Sequence, residues 1–480
     1  MDMQMYIGGK YVPASDGGTK NVINPYDGSV IGTVPAATKE DVALAISNAV
    51  KGQKEWNNMP LYERLAILTR YTFLVEENTE RIAAVMCAEG GKPIEQCRTE
   101  VAANAAIFRI YIDAANTFYG STLPYNTEPR SRGDVAFTIH EPLGVFGCIV
   151  PFNYPVELAA HKTAPMLVAG NSVILKPSSD TPMGAIILTE LLLKAGVPGN
   201  TIQCLTGNSS LIGGMLTSSP DVAAISFTGS TNVGVQLQTQ CAPSLKATSL
   251  ELGGNDPLLV FDDCDMELAL EEVIGGRIGN AGQTCCASKR FLIQNGIREK
   301  FTAELIARLS KVRVGNPADP ETEMGPCVSE HAAIEVEEQI AATVAQGATL
   351  ALGGKRNGAF IEPTVLTNVT PEMDIAKNME VFGPVWPIIG FDTLEEGLQI
   401  ANQTCFGLSS GVITENMRTA MKVANGIQAG ACIINGTGNY RLAHQPFGGY
   451  KMSGVGREGA VVTLQEMTQE KMISFKGILN

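Results

Sequence analysis

Two segments of the chain carry the residue types that covalent catalysis through a thiol requires. Glu251 stands in the segment Ser249-Leu250-Glu251-Leu252-Gly253-Gly254, and Cys285 stands in Gly279-Asn280-Ala281-Gly282-Gln283-Thr284-Cys285-Cys286-Ala287. A cysteine thiolate is a strong nucleophile, and a carboxylate can act as a general base. Glycines beside both residues let the backbone and a ligand approach closely. The pairing predicts a reaction that uses a thiol nucleophile and a carboxylate base.

Both segments resemble the two signature sequences of the NAD(P)-dependent aldehyde dehydrogenase superfamily, and the resemblance extends over the whole chain. Further matching blocks are Pro151-Phe152-Asn153, Phe227-Thr228-Gly229-Ser230, Glu380-Val381-Phe382-Gly383-Pro384 and Pro446-Phe447-Gly448-Gly449. The resemblance implies that Cys285 attacks an aldehyde to give a thiohemiacetal. After a hydride has left for the nicotinamide, water deprotonated by Glu251 opens the remaining thioester.

Three further catalytic residues follow from the resemblance. Asn153 would supply a side-chain amide to the thiohemiacetal oxyanion, with the backbone N–H of Cys285 as its partner. Lys162 and Glu458 would relay a proton inward. Considered alone, Asn153 between two prolines is a turn residue. Lys162 and Glu458 are, each considered alone, equally well members of a structural ion pair.

Two properties of the central pair follow from its neighbours. Cys286 is the positional rival of Cys285, and we expect it to pack beside the nucleophile. Leu250 and Leu252 give Glu251 an apolar setting, which predicts a raised pKa and proton exchange near neutrality. The alternative for Glu251 is a solvated carboxylate at a strand end.

A cofactor site is indicated where a strand ends in a Gly-Ser turn before a helix, at 225–230 and 232–240, because a helix N-terminus favours a pyrophosphate. A literal G-x-G-x-x-G occurs at 454–459, but no apolar strand leads into it, and it resembles instead the family's C-terminal block. The resemblance assigns Lys176 to the adenosine ribose, and Glu380 and Phe382 to the nicotinamide ribose and ring. The predicted cofactor residues are Ile149, Val150, Pro151, Phe152, Lys176, Ser178, Ser179, Gly213, Phe227, Gly229, Ser230, Leu252, Glu380 and Phe382.

Ser179 marks a departure from the family's pattern. NAD-preferring members commonly carry Glu three residues after the lysine, where it would repel a 2′-phosphate. Here the stretch is Lys176-Pro177-Ser178-Ser179. Because Ser179 is neutral, we expect the protein to use NAD or NADP.

The substrate is indicated only as a class. The stretch 439–446 resembles that of enzymes for lactaldehyde, phosphonoacetaldehyde and related short hydroxy or anionic aldehydes, in which a loop arginine meets the polar tail. Arg441 is that arginine here, and its alternative is a surface residue. Thr284 stands where non-phosphorylating glyceraldehyde-3-phosphate enzymes have arginine, so a phosphate clamp is incomplete. We expect a small polar aldehyde, similar to lactaldehyde, a semialdehyde or another anionic aldehyde.

Two other functions compete with aldehyde oxidation to an acid. The first is a CoA-acylating semialdehyde dehydrogenase, but hydrolysis needs a base and the chain retains Glu251. The second is a catalytically silent structural or binding protein of the same fold. Such proteins usually lose the nucleophile or the base, whereas this chain retains both Cys285 and Glu251.

Composition narrows the class of protein. The 480 residues include 35 basic and 49 acidic side chains, a net charge of −14, which disfavours nucleic acid and anionic membranes as partners. The 11 cysteines have no repeating spacing and indicate reduced thiols, and the four histidines lie far apart, so we expect no metal. The first residues do not resemble a signal peptide, and no apolar run reaches the roughly 20 residues that span a bilayer. We expect a cytoplasmic enzyme.

Hydrophobic periodicity predicts an α/β fold. Residues 38–119 have helical spacing, and from about 144 short apolar runs alternate with helices, which favours a parallel Rossmann-type sheet covered on both faces. A second α/β run starts near 258. With the family as guide, we predict a cofactor-binding domain at 1–121 and 142–252 and a catalytic domain at 253–461. Segments 122–141 and 462–480 would form a small sheet that joins subunits into a homodimer or homotetramer.

Overall fold

The computed structural model describes residues 1–124 and 126–479. The helices are α1 Lys39–Asn58, α2 Leu61–Glu77, α3 Thr79–Gly90, α4 Ile94–Ala115, α5 Pro155–Val168, α6 Met183–Ala195, α7 Ser209–Ser218, α8 Thr231–Cys241, α9 Met266–Ile278, α10 Arg298–Leu309, α11 Glu330–Ala345, α12 Leu394–Asn402, α13 Met417–Gly426 and α14 Ala460–Glu466. The strands are β1 Met5–Ile7, β2 Lys10–Val12, β3 Thr19–Ile23, β4 Val30–Pro35, β5 Thr122–Leu123, β6 Val135–Pro142, β7 Val145–Ile149, β8 Ser172–Lys176, β9 Ile202–Cys204, β10 Ala224–Thr228, β11 Ala247–Glu251, β12 Pro257–Val260, β13 Arg290–Gln294, β14 Thr349–Leu352, β15 Arg356–Asn357, β16 Phe360–Ile361, β17 Thr364–Val369, β18 Val385–Phe391, β19 Gly411–Ile413, β20 Ile433–Ile434, β21 Gly454–Val455 and β22 Thr468–Phe475. None of the helices in the described part of the chain has both the length and the apolar composition that crossing a bilayer requires.

The first large sheet has the strand order β2-β1-β9-β8-β7-β10-β11-β21. Its five strands from β9 to β11 run parallel, and antiparallel strands extend it at both edges. From β7 the chain adds β8 and β9 on one side, then β10 and β11 on the other. The strand order therefore reverses beside β7, and sheets of this kind bind ligands in the crevice outside the carboxyl ends of the strands at that point.

The second large sheet has the order β14-β17-β18-β13-β12-β19-β20 and is parallel apart from β14. Buried apolar clusters cover both faces of each large sheet, which explains why their strands consist of near-continuous apolar runs. The predicted α/β class with a Rossmann-type sheet is confirmed. The strands of the first sheet precede residue 252, apart from β21, and those of the second sheet follow residue 256. The domain limits remain a prediction.

A third, antiparallel sheet has the order β22-β6-β5. Strands β22 and β6 pair over their full length, from Thr468 opposite Pro142 to Phe475 opposite Val135. Met472 and Phe475 of β22 are exposed. The segments predicted to join subunits include Tyr125 and Asn480, which lie outside the described residues, and their role in assembly remains a prediction.

Helix α5 begins directly after the predicted oxyanion residue and is fixed by a buried carboxylate. Oε1 of Glu100, on α4, accepts hydrogen bonds from the N–H groups of Val156 at 2.8 Å and Glu157 at 3.1 Å. Lys92 forms a buried ion pair with the same carboxylate and lies 3.6 Å from the centre of the Tyr154 ring. The Glu100 carboxylate therefore pairs two N–H groups at the N-terminus of α5, where a negative charge is favourable, and it fixes the start of this helix.

Candidate active site

The segment that presents Cys285 has a constrained backbone. It follows α9 and opens with a 3₁₀ turn, Gly279–Gly282, in which Asn280 (φ 48°) and Ala281 (φ 53°) are left-handed. Each such residue costs roughly 1–2 kcal/mol and persists only where its surroundings hold it. A Cβ on Gly282 would lie 2.3 Å from the carbonyl oxygen of Gly383. The strained backbone at Asn280 and Ala281 therefore lies just before the predicted nucleophile, Cys285.

Asn153 is hydrogen-bonded to this segment in both directions. Its Nδ2 donates to the carbonyl oxygen of Gln283 at 3.0 Å, and its own carbonyl oxygen accepts from Nδ2 of Asn280 at 2.9 Å. Asn153 follows β7 of the first sheet, whereas Asn280 and Gln283 precede β13 of the second. These two hydrogen bonds thus bring the predicted oxyanion donor to the loop of Cys285.

Cys285 and Cys286 form a coupled pair of thiols. The hydrogen bond between them, together with burial, raises the pKa of Cys285, and the same hydrogen bond lowers the pKa of Cys286. Either thiol can donate to the other, so the loss of the first proton is a property of the pair and not of one residue. Position distinguishes the two sulfurs. Cys285 is partly exposed and lines the cavity between the two large sheets, whereas Cys286 is buried in a small apolar cluster.

Glu251 ends β11 as a buried carboxyl group, with an exposed fraction of 4%. Neither carboxyl oxygen has a hydrogen-bond partner among the residues described. Burial raises the pKa of Glu251 well above its ordinary range, Glu458 raises it further, and Arg441 and Lys162 lower it. This is the direction that the apolar neighbours predicted, and the alternative of a solvated strand end is wrong. A carboxyl of this kind can take a proton from water near neutral pH.

Glu458 lies between two cations beside Glu251. Its Oε1 is 3.4 Å from Nζ of Lys162, and its Oε2 accepts from Nη2 of Arg441 at 2.9 Å. Although burial acts to raise it, Lys162, His161 and Arg441 lower the pKa of Glu458 to about 2. Burial lowers the pKa of His161 to about 3, which leaves that ring neutral. The cluster of Lys162, Arg441 and Glu458 therefore carries one surplus positive charge.

Arg441 is not a solvated surface residue. Its side chain is only 13% exposed, and its guanidinium carbon lies 4.0 Å from the centre of the Phe447 ring. Nε of Arg441 is buried and has no hydrogen-bond partner among the described residues. The guanidinium is close enough to lower the pKa of the Cys285 thiol and of the Glu251 carboxyl. The loop arginine therefore belongs to the site.

A cavity of about 290 Å³ lies beside Cys285 and is lined by residues from the parts of the chain that form both large sheets. Phe152 and Phe382, which both line it, contact each other edge to face with ring centres 6.0 Å apart. Oε1 of Glu380 accepts from the N–H of Gly254 at 3.1 Å. Glu380 and Phe382, predicted for the nicotinamide ribose and ring, line this cavity, as do the predicted cofactor residue Leu252 and the predicted catalytic residues Asn153 and Cys285.

A second cavity, of about 350 Å³, adjoins the first and shares Phe152 and Gly229 with it. The ammonium group of Lys176 donates to Oγ of Ser209 at 2.8 Å at its edge. Helix α8 begins beside the cavity after Ser230, whose side chain makes no capping hydrogen bond, so N–H donors remain for an anion. Its lining includes the remaining predicted cofactor residues apart from one: Ile149, Val150, Pro151, Phe152, Lys176, Ser178, Gly213, Phe227, Gly229 and Ser230.

The two joined cavities fit a dinucleotide. Donors for phosphate and ribose lie at one end, and an aromatic, apolar lining lies at the other beside Cys285. Ser179 is the exception among the predicted residues, because it lines a neighbouring cavity and donates to the carbonyl oxygen of Gly207 at 3.2 Å.

The family can now be assigned. The model of the aldehyde dehydrogenase family matches residues 11–473. The chain belongs to the aldehyde dehydrogenase family. It is an NAD(P)-dependent enzyme that oxidises aldehydes, as the recognised signature segments implied.

Similar proteins extend over the whole aldehyde dehydrogenase chain. A 3-sulfolactaldehyde dehydrogenase of Priestia aryabhattai is 37% identical over 469 residues, 98% of this chain and 97% of the relative. A glutarate-semialdehyde dehydrogenase of Pseudomonas putida is 37% identical over 471 residues, with the same shares. The crystal structure of a Staphylococcus aureus betaine aldehyde dehydrogenase in complex with NAD⁺ superposes with a TM-score of 0.95 at 34% identity, covering 99% of this chain and 95% of that one.

The sequence did not reveal the residues that hold the catalytic loop of this aldehyde dehydrogenase. Oε1 of Gln283 accepts from the N–H of Val328 at 2.9 Å, and Oε1 of Gln96 accepts from the N–H of Asn280 at 2.9 Å. Lys289 donates to the carbonyl oxygen of Cys285 and lies 3.4 Å from Glu380. Gln283 stood inside the recognised motif, but its contacts cross between segments far apart in the chain and leave no local signal.

Replacing Cys285 by Ala is expected to lower aldehyde oxidation by more than about 10³-fold, because Cys286 points into an apolar cluster and cannot take its place. NAD⁺ should still bind, since the cavity lining is otherwise intact. The absorbance of the reduced nicotinamide measures turnover, and quenching of protein fluorescence measures binding.

The matched control is Cys286→Ala, which should retain most of the wild-type turnover. An active Cys285→Ala enzyme together with an inactive Cys286→Ala enzyme would identify Cys286 as the nucleophile instead.

Proposed function

We propose that the enzyme oxidises a short aldehyde with an anionic tail to the carboxylic acid, through a thioester on Cys285. The observation that supports this most directly is the juxtaposition of a cavity-lining thiol with a buried carboxyl of raised pKa, Glu251. Attack by a thiol and hydrolysis by activated water are the two steps that these groups can perform.

In the first step Sγ of Cys285 bonds to the aldehyde carbon. The thiol proton leaves to water before the attack. Lys289 and Arg441 favour the thiolate, in opposition to the hydrogen bond with Cys286 and to burial, which raise the pKa of this thiol. The carbonyl oxygen becomes an oxyanion, for which Nδ2 of Asn153 and the N–H of Cys285 are the proposed donors. Asn153 is already held by the carbonyl oxygen of Gln283, so its amide is oriented before the substrate arrives.

When bound in the joined cavities, NAD(P)⁺ would supply the hydride acceptor that the oxidation needs, and loss of a hydride from the thiohemiacetal carbon would leave a thioester on Cys285. Glu380 and Phe382 are the proposed contacts of its nicotinamide end. Lys176 and the N-terminus of α8 are the proposed contacts of its ribose and phosphates. Contacts of this kind would place the nicotinamide end of the cofactor beside Cys285.

In the last step Glu251 takes a proton from water, and the resulting hydroxide opens the thioester to release the acid and the Cys285 thiol. Neither carboxyl oxygen of Glu251 has a hydrogen-bond partner among the described residues, so either can accept a hydrogen bond from a water. The surplus positive charge of Lys162, Arg441 and Glu458 stabilises the ionised form of Glu251, which is the form that acts as a base. Lys162 and Glu458 are the proposed route by which the proton leaves.

An anionic tail is proposed because of Arg441 and the similar enzymes. Sulfolactaldehyde carries a sulfonate and glutarate semialdehyde a carboxylate, each at the end opposite the aldehyde. In this chain the Nε donor of Arg441 has no partner among the described residues although its Nη2 is held by Glu458. A substrate anion would satisfy that donor with a charge-assisted hydrogen bond.

A CoA-acylating enzyme remains the second candidate, but the buried Glu251 favours hydrolysis over transfer to a thiol. A silent structural member is disfavoured, because Cys285 and Asn153 line one cavity and Glu251 is close enough to the thiol for each to affect the other's charge. For assembly we propose a homodimer or homotetramer that pairs through the sheet β22-β6-β5, whose residues Met472 and Phe475 expose apolar surface.

Glu251→Gln is expected to slow steady-state turnover by about 10²–10⁴-fold, because the thioester then waits for unactivated water. The first turnover should still release one equivalent of reduced nicotinamide, since thiol attack and hydride loss do not use this base. Rapid mixing separates the burst from the steady state. A variant with normal steady-state turnover, or with normal turnover only when coenzyme A is added, would favour the acylating alternative.

The wild-type rate should fall as the pH drops through the raised pKa of Glu251, since only the ionised carboxyl accepts a proton from water. This limb should therefore lie at a higher pH than that of an ordinary solvated glutamate. The pH profile of kcat checks it. The same limb in Glu251→Gln would assign the ionisation to another group.

Arg441→Met is expected to reduce kcat/KM for glutarate semialdehyde roughly 10- to 100-fold relative to pentanal, an aldehyde of the same chain length without the carboxylate. Loss of the Glu458 contact would affect both substrates, so the ratio isolates the tail. Arg441→Lys should restore part of the preference. Equal losses for the two aldehydes would show that Arg441 only holds Glu458.

A further inference from the structure

The buried ammonium group of Lys289 connects the loop of Cys285 to the proposed nicotinamide contacts. Its side chain is only 1% exposed. It donates to the carbonyl oxygen of Cys285, and it lies 3.4 Å from Oε1 of Glu380 and 5.8 Å from the centre of the Phe382 ring. Lys289 directly precedes β13, whereas Glu380 and Phe382 precede β18. One side chain therefore joins two parts of the site that are far apart in the chain.

The carboxylate of Glu380 is fixed against the two glycines of the first signature segment. The N–H of Gly254 donates to its Oε1 at 3.1 Å, and a Cβ on Gly253 would lie only 2.2 Å from its Oε2. Lys289 and Gly254 both contact Oε1, so neither of them occupies Oε2. Because Glu380 lines the first cavity, Oε2 can accept from a ribose hydroxyl while Oε1 stays beside Lys289.

A second carboxyl, that of Asp256, lies near the same ammonium group but away from the cavity. Asp256 is buried, and neither of its carboxyl oxygens has a hydrogen-bond partner among the described residues. Its carbonyl oxygen accepts from the backbone N–H of Lys289 at 2.8 Å. Burial raises the pKa of Asp256 to about 7, and Lys289 opposes this shift by proximity. Lys289 thus offsets negative charge on its buried side as well as at Glu380, which keeps its ammonium group in place.

Hydride transfer gives this link a consequence for the reaction. The carbon bonded to Cys285 and the nicotinamide ring must stay at a fixed short separation, and a displacement of about 1 Å can cost roughly 10²-fold in rate. The loop before β13 places the first of these groups, and Glu380 is the proposed contact that places the second. A contact between the loop and Glu380 therefore constrains the separation itself.

We propose that Lys289 is a positioning residue that holds the loop of Cys285 and the carboxylate of Glu380 at the separation that hydride transfer requires. Lys289 does not line the first cavity, so it acts through these two residues. The inference rests on the proposed contact between Glu380 and the nicotinamide ribose. Hydrolysis of the thioester uses Glu251 and water, and it should not depend on this link.

Lys289→Met should slow the first release of reduced nicotinamide roughly 10- to 100-fold, because a neutral side chain holds neither the Cys285 carbonyl nor Glu380. NAD⁺ affinity should change less than about threefold, since the interaction is needed in the transition state more than for binding. Rapid mixing with glutarate semialdehyde measures the first turnover. With the substrate deuterated at the aldehyde carbon, the isotope effect on kcat should be larger in the variant than in the wild type.

A double-variant cycle separates positioning from general support of the loop. If Lys289 acts through Glu380, Lys289→Met should have little further effect on hydride transfer in a Glu380→Gln background. Lys289→Arg retains the charge and should restore part of the rate. The matched control is Lys246→Met, which removes another buried lysine that donates to backbone carbonyl oxygens, those of Ser219 and Val222, and it should leave hydride transfer unchanged.

An unchanged first turnover in Lys289→Met, or the same loss in the wild-type and Glu380→Gln backgrounds, would overturn the proposed role of Lys289. If Lys289→Met does not fold, Lys289→Arg decides: its isotope effect on kcat should exceed that of the wild type, and an equal isotope effect would contradict the proposal. A wild type that binds NAD⁺ but releases no reduced nicotinamide with any aldehyde would overturn the proposed function instead.

Discussion

The site depends on one reciprocal interaction, the two hydrogen bonds between Asn153 and the loop before Cys285. They join the crevice of the first sheet to the N-terminal edge of the second, and they hold a backbone that contains two left-handed residues. Glu100 fixes the other side of Asn153 by capping α5. Because Asn153 is bonded to the loop of Cys285, a single constraint places the proposed nucleophile and the proposed oxyanion donor.

Electrostatics then decide how the buried groups can react. Burial alone would keep Glu251 protonated and inert as a base. Lys162 and Arg441 oppose this effect by lowering the pKa of Glu251. Glu458 raises that pKa, and its negative charge cancels one of their two positive charges. Arg441 of this cluster also has an Nε donor without a partner among the described residues, so base activation and the proposed substrate choice both depend on Arg441. This shared dependence is the physical reason for expecting an acidic tail on the aldehyde.

The sequence predicted the reactive residues better than it predicted the hydrogen bonds that hold them in place. The catalytic thiol and carboxyl stood in motifs, the apolar neighbours of Glu251 indicated its raised pKa, and the helical spacing of 38–119 matches α1–α4. The hydrogen bonds of Gln283 and the cap from Glu100 could not be predicted. Each joins segments far apart in the chain, where tertiary packing decides the contact and local patterns carry no signal.

Mass spectrometry of the trapped intermediate tests the central claim most directly. Glu251→Gln enzyme, mixed with glutarate semialdehyde and NAD⁺ and quenched in acid, should carry an acyl group on the tryptic peptide that follows Arg277 and ends at Lys289. The added mass should equal that of the aldehyde less two hydrogens, and fragmentation should place it on Cys285. An adduct of the whole aldehyde, an adduct on Cys286, or an unmodified peptide after release of reduced nicotinamide would contradict a thioester on Cys285 that waits for Glu251.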